Sequence, residues 1–220
     1  MAAAQKRLVI YDLDGTLVDT AQDIAQAVNH AVTSLGHAPL ASREIRAGVG
    51  RGVAHLIGQC LQTDDETRIA AGVQLFRDYY GAHLVDHSTL YPGTREALDY
   101  FRARTQVVLT NKPDPYAQDL LHALGIDGSF AQIVAADGHA PIKPDPSAVF
   151  ALLEAYGAAP KEALMIGDSP IDVETGRRAG VLTAVVSHGF SDEADLRAAR
   201  PDALVRDFPA LLALAKQRAW

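Results

Sequence analysis

The chain has 220 residues, 48% of them hydrophobic, which is enough for one large domain, or a domain with a modest insertion, around a real core. A formal net charge of −7 with no cluster of lysines or arginines argues against a nucleic-acid partner. No apolar run approaches the roughly 18 residues of a membrane-spanning helix.

The single cysteine, Cys60, cannot form a disulfide within the chain, which fits a reducing compartment; its expected place is as a small buried hydrophobe. Residues 1–7 lack the apolar centre of a signal peptide, so a cytoplasmic location is expected. Residues 8–11, Leu-Val-Ile-Tyr, have the pattern of a strand buried on both faces. The strand stops at Asp12-Leu13-Asp14-Gly15-Thr16. Two positions apart on an extended backbone, Asp12 and Asp14 point the same way. Carboxylates that close repel, and the pair needs a cation or a proton.

From residue 18 to 87 the pattern is helical throughout and predicts no strand. Ile24, Val28, Ala31, Val32 and Leu35 share one helix face, with Asp19 or Thr20 as its cap and Gly36 as its end. A short helix from Ser42 breaks at Gly48-Val49-Gly50-Arg51-Gly52. A third helix carries Val53, Leu56, Ile57 and Leu61. A fourth opens at Asp64-Asp65-Glu66, where negative charge suits the helix dipole, and carries Ile69, Val73, Phe76, Tyr80 and Leu84.

Beyond residue 88 helices and strands alternate. Strands are predicted at 106–110, 133–135, 163–166, 182–186 and 203–205, and helices at 92–101, 115–124, 146–156, 170–179 and 208–216. Such alternation means an α/β fold, a doubly wound parallel sheet with helices on both faces. Residues 1–17 and 88–220 form the expected Rossmann-like core, and 18–87 an inserted all-helical cap at the rim of the site.

Three further signals follow strands. Thr110-Asn111-Lys112 offers a hydroxyl and an amide able to hold a phosphoryl oxygen. Lys143-Pro144-Asp145-Pro146 holds a lysine in a stiffened loop, where it can act as a point charge on a phosphate. Gly167-Asp168-Ser169-Pro170-Ile171-Asp172 leaves a buried strand and opens a helix, with Pro170 suited to the first turn. Asp168 stands one residue beyond its strand, as Asp12 does.

These four motifs, in order and spacing, resemble those of the haloacid dehalogenase-like superfamily, and nearly the whole chain resembles its phosphoglycolate phosphatase-like branch. The resemblance implies a hydrolase in which Asp12 accepts the phosphoryl group as an aspartyl phosphate. It implies that Asp14 is acid and then base, and that Thr110, Asn111 and Lys143 hold the phosphoryl oxygens. It further implies a Mg²⁺ held by Asp12, the backbone carbonyl of Asp14 and Asp168, with Asp172 supporting the lysine or the metal. Dehalogenases of the superfamily typically lack an aspartate at the position of Asp14, so phosphate chemistry is favoured. The Gly-rich loop 48–52 is the expected specificity loop, with Arg51 pairing a substrate carboxylate.

A small phosphorylated metabolite, 2-phosphoglycolate first, is the expected partner, with no nucleic acid and no membrane, and with the chain a monomer or homodimer. A sugar-phosphate phosphatase, a phosphomutase or a pyrophosphatase of the same superfamily shares the core motifs. A phospho-aspartate signalling domain is the alternative from another class; Asp14 and the cap speak against it. His83 and His87 stand four apart but lack a third metal ligand. Tyr79 and Tyr80 suit packing, and His139 lies near the Lys143 loop.

Overall fold

The computed structural model describes residues 5–136, 138 and 141–220. Among these residues, strands β1 (Leu8–Tyr11), β4 (Thr105–Pro113), β5 (Gln132–Ala136), β6 (Ala163–Gly167), β7 (Leu182–Val186) and β8 (Ala203–Val205) form one six-stranded sheet. All its pairings are parallel and its order is β5-β4-β1-β6-β7-β8. Helices α5 (Thr94–Tyr100), α6 (Tyr116–Ala123), α7 (Ser147–Ala155), α8 (Pro170–Ala179), α9 (Glu193–Ala199) and α10 (Phe208–Arg218) connect or follow the strands. This is the doubly wound α/β architecture expected.

β1 is central and fully buried, because Leu8, Val9, Ile10 and Tyr11 face packed layers on both sides. Val9 and Tyr11 join the larger core cluster, while Leu8 and Ile10 join a second one with Val149, Leu152 and Met165. From β1 the chain goes out to β4 and β5 on one side, then returns to β6 on the other. That reversal opens a crevice at the carboxyl ends of β1, β4 and β6, the place where open α/β sheets take ligands.

Four helices, α1 (Ala21–Ser34), α2 (Ser42–Arg46), α3 (Val53–Leu61) and α4 (Glu66–Ala82), fill the stretch predicted as helical. Asp65 caps α4 by accepting the N–H groups of Thr67 and Arg68. Thr20 occupies the N-cap of α1 but makes no capping bond with its side chain; its hydroxyl donates to Asp14 instead, at 2.7 Å. Cys60 is half-buried on α3, and burial pushes its thiol up to about 11, so it is not a thiolate at neutral pH.

Two expectations need correction. Residues 18 and 19 were expected in a strand-free stretch, yet they form strand β2 (Val18–Asp19), antiparallel to β3 (Thr89–Leu90). A two-residue strand shows no periodicity, and its partner lies seventy positions away. The Thr110-Asn111-Lys112 motif does not follow its strand but lies inside β4. The pairing of β4 with β5 steps from Leu109↔Val134 to Pro113↔Ala136, four residues against two. The surplus is a bulge, which re-aims side chains at a strand end.

The entry and exit of the helical block are fastened together by Asp23 in the first turn of α1. Its buried carboxylate accepts the Ser88 hydroxyl at 2.6 Å, the Ser88 N–H at 2.8 Å and the His87 N–H at 3.1 Å. Asp23→Ala leaves these donors unpaired and is expected to cost about 3 kcal/mol, on the scale of lost charge-assisted hydrogen bonds. Urea unfolding against the parent protein measures it, and an unchanged midpoint refutes it.

Candidate active site

At the carboxyl end of β1, Asp12 and Asp14 line one small cavity, but each is tied to a different lysine. Asp12 Oδ1 accepts the Leu13 N–H at 2.7 Å and stands 2.8 Å from Lys143 Nζ. Asp14 Oδ1 accepts the Thr20 hydroxyl at 2.7 Å and Lys112 Nζ at 2.9 Å. In both residues Oδ2 has no hydrogen-bond partner among the described residues. One oxygen of each carboxylate fixes its orientation while the other is left for chemistry.

Lys143 lies between Asp12 and Asp172, whose Oδ1 is 2.7 Å from the ammonium. All three side chains are buried, the lysine and Asp172 at 2% exposure. Burial by itself would depress the lysine, but Asp12 and Asp172 outweigh it and hold the ammonium above its ordinary value. The backbone of Lys143 is held by Asn111. Asn111 Oδ1 accepts the Lys143 N–H at 2.9 Å, and Nδ2 donates to the Lys143 carbonyl at 2.9 Å and to the Gly50 carbonyl at 2.7 Å. Asn111 thus stitches the lysine's loop to the loop between α2 and α3. Thr110 lines the cavity; its hydroxyl accepts the Lys112 N–H at 3.1 Å, leaving its own proton to donate.

Asp168 leaves β6 and is clasped from two sides. Its Oδ1 accepts the Thr16 hydroxyl at 2.9 Å and its Oδ2 the Phe190 N–H at 2.6 Å. A Cβ on Gly15 or on Gly189 would collide with this carboxylate, and Gly15 has φ +81, so both positions need glycine. Asp172, in the first turn of α8, accepts the Ser169 hydroxyl at 2.6 Å while Ser169 caps the helix in return.

Oxygens of Asp12, Asp168 and Asp172 lie within 4.8 Å of one another. Three buried carboxylates stand against one ammonium, that of Lys143, which contacts Asp12 and Asp172, so the cluster carries an excess of negative charge. Burial, with Asp12 and Asp172 adding repulsion, pushes the Asp168 carboxyl well above its ordinary range, and burial likewise lifts Asp12 to about 6. A hard divalent cation fits this set in donor type and in charge. The cluster includes Asp172 but not the Asp14 carboxylate.

Opposite Asp14, Lys112 also reaches the Tyr80 hydroxyl of α4, at 2.6 Å, and stands 4.5 Å from that ring's centre. Burial would depress Lys112, but Asp14 and Tyr80 hold it above the ordinary lysine value; burial pushes the Tyr80 phenol up to about 12. Sequence reasoning gave neither residue a role. Lys112 could have been found, since it is two positions from Thr110 on one strand. Tyr80 is masked by its place on the apolar face of α4.

The cavity has a volume of about 60 Å³, room for only a few water molecules. Val49, Gly50 and Gly52 contribute to its wall, with Ile24, Leu56, Phe76 and Tyr116 as apolar surface. Arg51 is exposed and lines an adjoining cleft with Arg43, Arg46 and Asp192. Among the histidines, His83 pairs with Asp86 at 2.7 Å, the His87 N–H goes to Asp23, and His139 lies outside the described residues. Tyr79 stacks between His30 and His83. No helix among the described residues is long and apolar enough to cross a membrane.

Comparison with known proteins agrees with this architecture. A phosphoglycolate phosphatase of Haemophilus influenzae is 32% identical over 220 residues, spanning 96% of this chain and 98% of its own. One from Chromobacterium violaceum is 36% identical over 200 residues, spanning 87% of this chain and 90% of its own. A crystal structure of a predicted phosphoglycolate phosphatase from Haemophilus somnus superposes with a TM-score of 0.90 at 27% identity, covering 96% of this chain and 99% of that one. The sequence profile of the haloacid dehalogenase-like hydrolases matches residues 6–180, and the chain belongs to that family.

Proposed function

We propose that the protein is a Mg²⁺-dependent phosphomonoesterase that hydrolyses 2-phosphoglycolate through an aspartyl phosphate. The observation that carries this reading is the pair of aspartates in one cavity, each fixed through Oδ1 by a buried lysine and each with an Oδ2 that no described residue engages. The relatives named above support the substrate class.

In this reading Asp12 Oδ2 attacks phosphorus and the bond from phosphorus to the ester oxygen breaks. Asp14, protonated, gives its proton to the departing oxygen. It then takes a proton from water as that water attacks the phosphorylated carboxylate, which releases inorganic phosphate and restores both aspartates. Lys143 and the Thr110 hydroxyl neutralise and orient the phosphoryl oxygens, and Asn111 and Asp172 keep Lys143 in place. Asp12, the backbone carbonyl of Asp14 and Asp168 would hold Mg²⁺, which when bound supplies further positive charge against the phosphoryl group.

The apolar part of the cavity wall suits a short leaving group. A sugar bearing several hydroxyls would leave them unpaired against Ile24, Leu56 and Phe76. The test is phosphate release from 2-phosphoglycolate, ethyl phosphate, several sugar phosphates and pyrophosphate, with and without Mg²⁺. Mg²⁺-dependent turnover fastest on 2-phosphoglycolate is expected. Faster turnover of a sugar phosphate or of pyrophosphate overturns the substrate, and turnover indifferent to Mg²⁺ overturns the metal.

A further inference from the structure

We propose that Lys112 and Tyr80 hold the carboxylate of the substrate's leaving group and so make the enzyme select an acid over a neutral ester. This inference rests on the phosphatase reading above and deepens it.

An ammonium has three N–H donors. Lys112 directs one at Asp14 and one at the Tyr80 hydroxyl, at 2.9 and 2.6 Å, and the third has no acceptor among the described residues. The Tyr80 hydroxyl accepts from Lys112, and its own proton has no acceptor among the described residues either. Two donors at the cavity wall are therefore uncommitted and available to a ligand's acceptors.

Their position follows from chemistry. Asp14 delivers a proton to the ester oxygen, so the leaving group begins at Asp14. In 2-phosphoglycolate the carboxylate is separated from that oxygen by a single methylene. A cation in contact with Asp14 is therefore beside the substrate's own carboxylate. Without such a cation the substrate's carboxylate would face Asp14 unscreened as Asp14 gives up its proton and becomes charged in a desolvated pocket.

Among the described residues no other cation competes for this task. Lys112 and Lys143 are the two cations among the residues that line the cavity. Lys143 is engaged by Asp12 and Asp172 at the phosphoryl end. Arg51 lines the adjoining cleft, not this cavity. Tyr80 comes from α4, so the helical block contributes to selectivity through a phenol held by a core lysine. Ile24, Phe76 and Tyr116 add apolar surface to the cavity wall.

The experiment compares 2-phosphoglycolate with ethyl phosphate, which has the same two-carbon skeleton and no carboxylate. kcat/KM for each is measured in the parent, Lys112→Met and Tyr80→Phe, with circular dichroism to establish folding. In the parent the acid is preferred. In Lys112→Met the preference is expected to fall by about 10–150-fold, the worth of one hydrogen bond to a charged group. In Tyr80→Phe it falls in the same direction by less. Loss of Asp14 positioning alone would slow both substrates equally and leave their ratio intact. An unchanged ratio in both variants therefore overturns the inference while leaving the phosphatase reading standing. If Lys112→Met does not fold, Tyr80→Phe decides alone, because it keeps the ring and removes only the hydroxyl. A parent enzyme that turns over both esters with no preference overturns the substrate reading, and the inference with it.

Discussion

Asp12→Asn is expected to abolish turnover while leaving the protein at least as stable as the parent. Loss of a covalent nucleophile costs about 10³–10⁶-fold in kcat. Asp14 is two residues away, but its Oδ1 is bound to Lys112 and Thr20 rather than to Lys143. The stability half of the expectation comes from charge. Burial lifts the Asp12 carboxyl from an ordinary 3.8 to about 6, so its ionised form is held in the fold at a cost. Asparagine keeps the shape, removes one of three clustered carboxylates and leaves Lys143 with Asp172. Phosphate release and thermal unfolding measure the two halves. A variant that turns over near the parental rate would remove Asp12 as nucleophile, and one that melts far lower would refute the charge argument.

Lys143→Met is the complementary change, and it is expected to damage both activity and fold. It leaves Asp12 and Asp172 buried side by side with no cation between them, a loss of about 3–5 kcal/mol by analogy with other broken buried ion pairs. Activity falls by about 10²–10³-fold or more, as when one preorganised charge facing a transition state is removed. Two linked effects identify the cause. Mg²⁺ should raise the melting temperature of the variant more than that of the parent, because a dication replaces the missing charge. The stability deficit should also shrink as the pH falls. A carboxyl whose value is raised by burial stabilises the folded state on taking up its proton; Asp12 stands at about 6 with Lys143 beside it and higher without it, so the recovery begins above pH 6 and continues toward the ordinary 3.8. A deficit that is flat with pH and indifferent to Mg²⁺ would mean that the methionine merely packs badly.

Much of this site is legible in the sequence because two of its key residues stand at strand ends. Asp12 and Asp168 each follow directly a strand whose apolar run is local and plain, Lys143 sits in a loop fixed by two prolines, and the sheet order places β1 beside β6. What the sequence hides is pairing between distant segments. β2 and β3 are two residues each and are separated by the whole helical block. The Thr20 hydroxyl looks like a helix cap and serves Asp14. Tyr80 has the spacing of a packing residue, and only the fold brings its hydroxyl to Lys112. Asp23 carries no signal of its role in the sequence, yet it is buried under four donor contacts from residues 87 and 88. Arg51 is the opposite case. A lone arginine among glycines reads as a ligand-pairing residue, but the loop turns so that Val49, Gly50 and Gly52 meet the cavity and the arginine does not.

The ribbon of β2 and β3 has a consequence for how this chain can be altered. The two cut ends of the core lie on neighbouring strands, roughly 5 Å apart. Any segment whose own ends come that close can be grafted there with little loop-closure cost, whatever its length, since that cost grows only logarithmically. Exchanging residues 20–88 for another helical unit would alter one wall of the cavity, including Tyr80, while β1, β4 and β6 kept their register and so the places of Asp12 and Asp168 that follow them. On the reading proposed above, such an exchange would replace Tyr80 while its partner Lys112 stayed on β4, at a seam two residues wide.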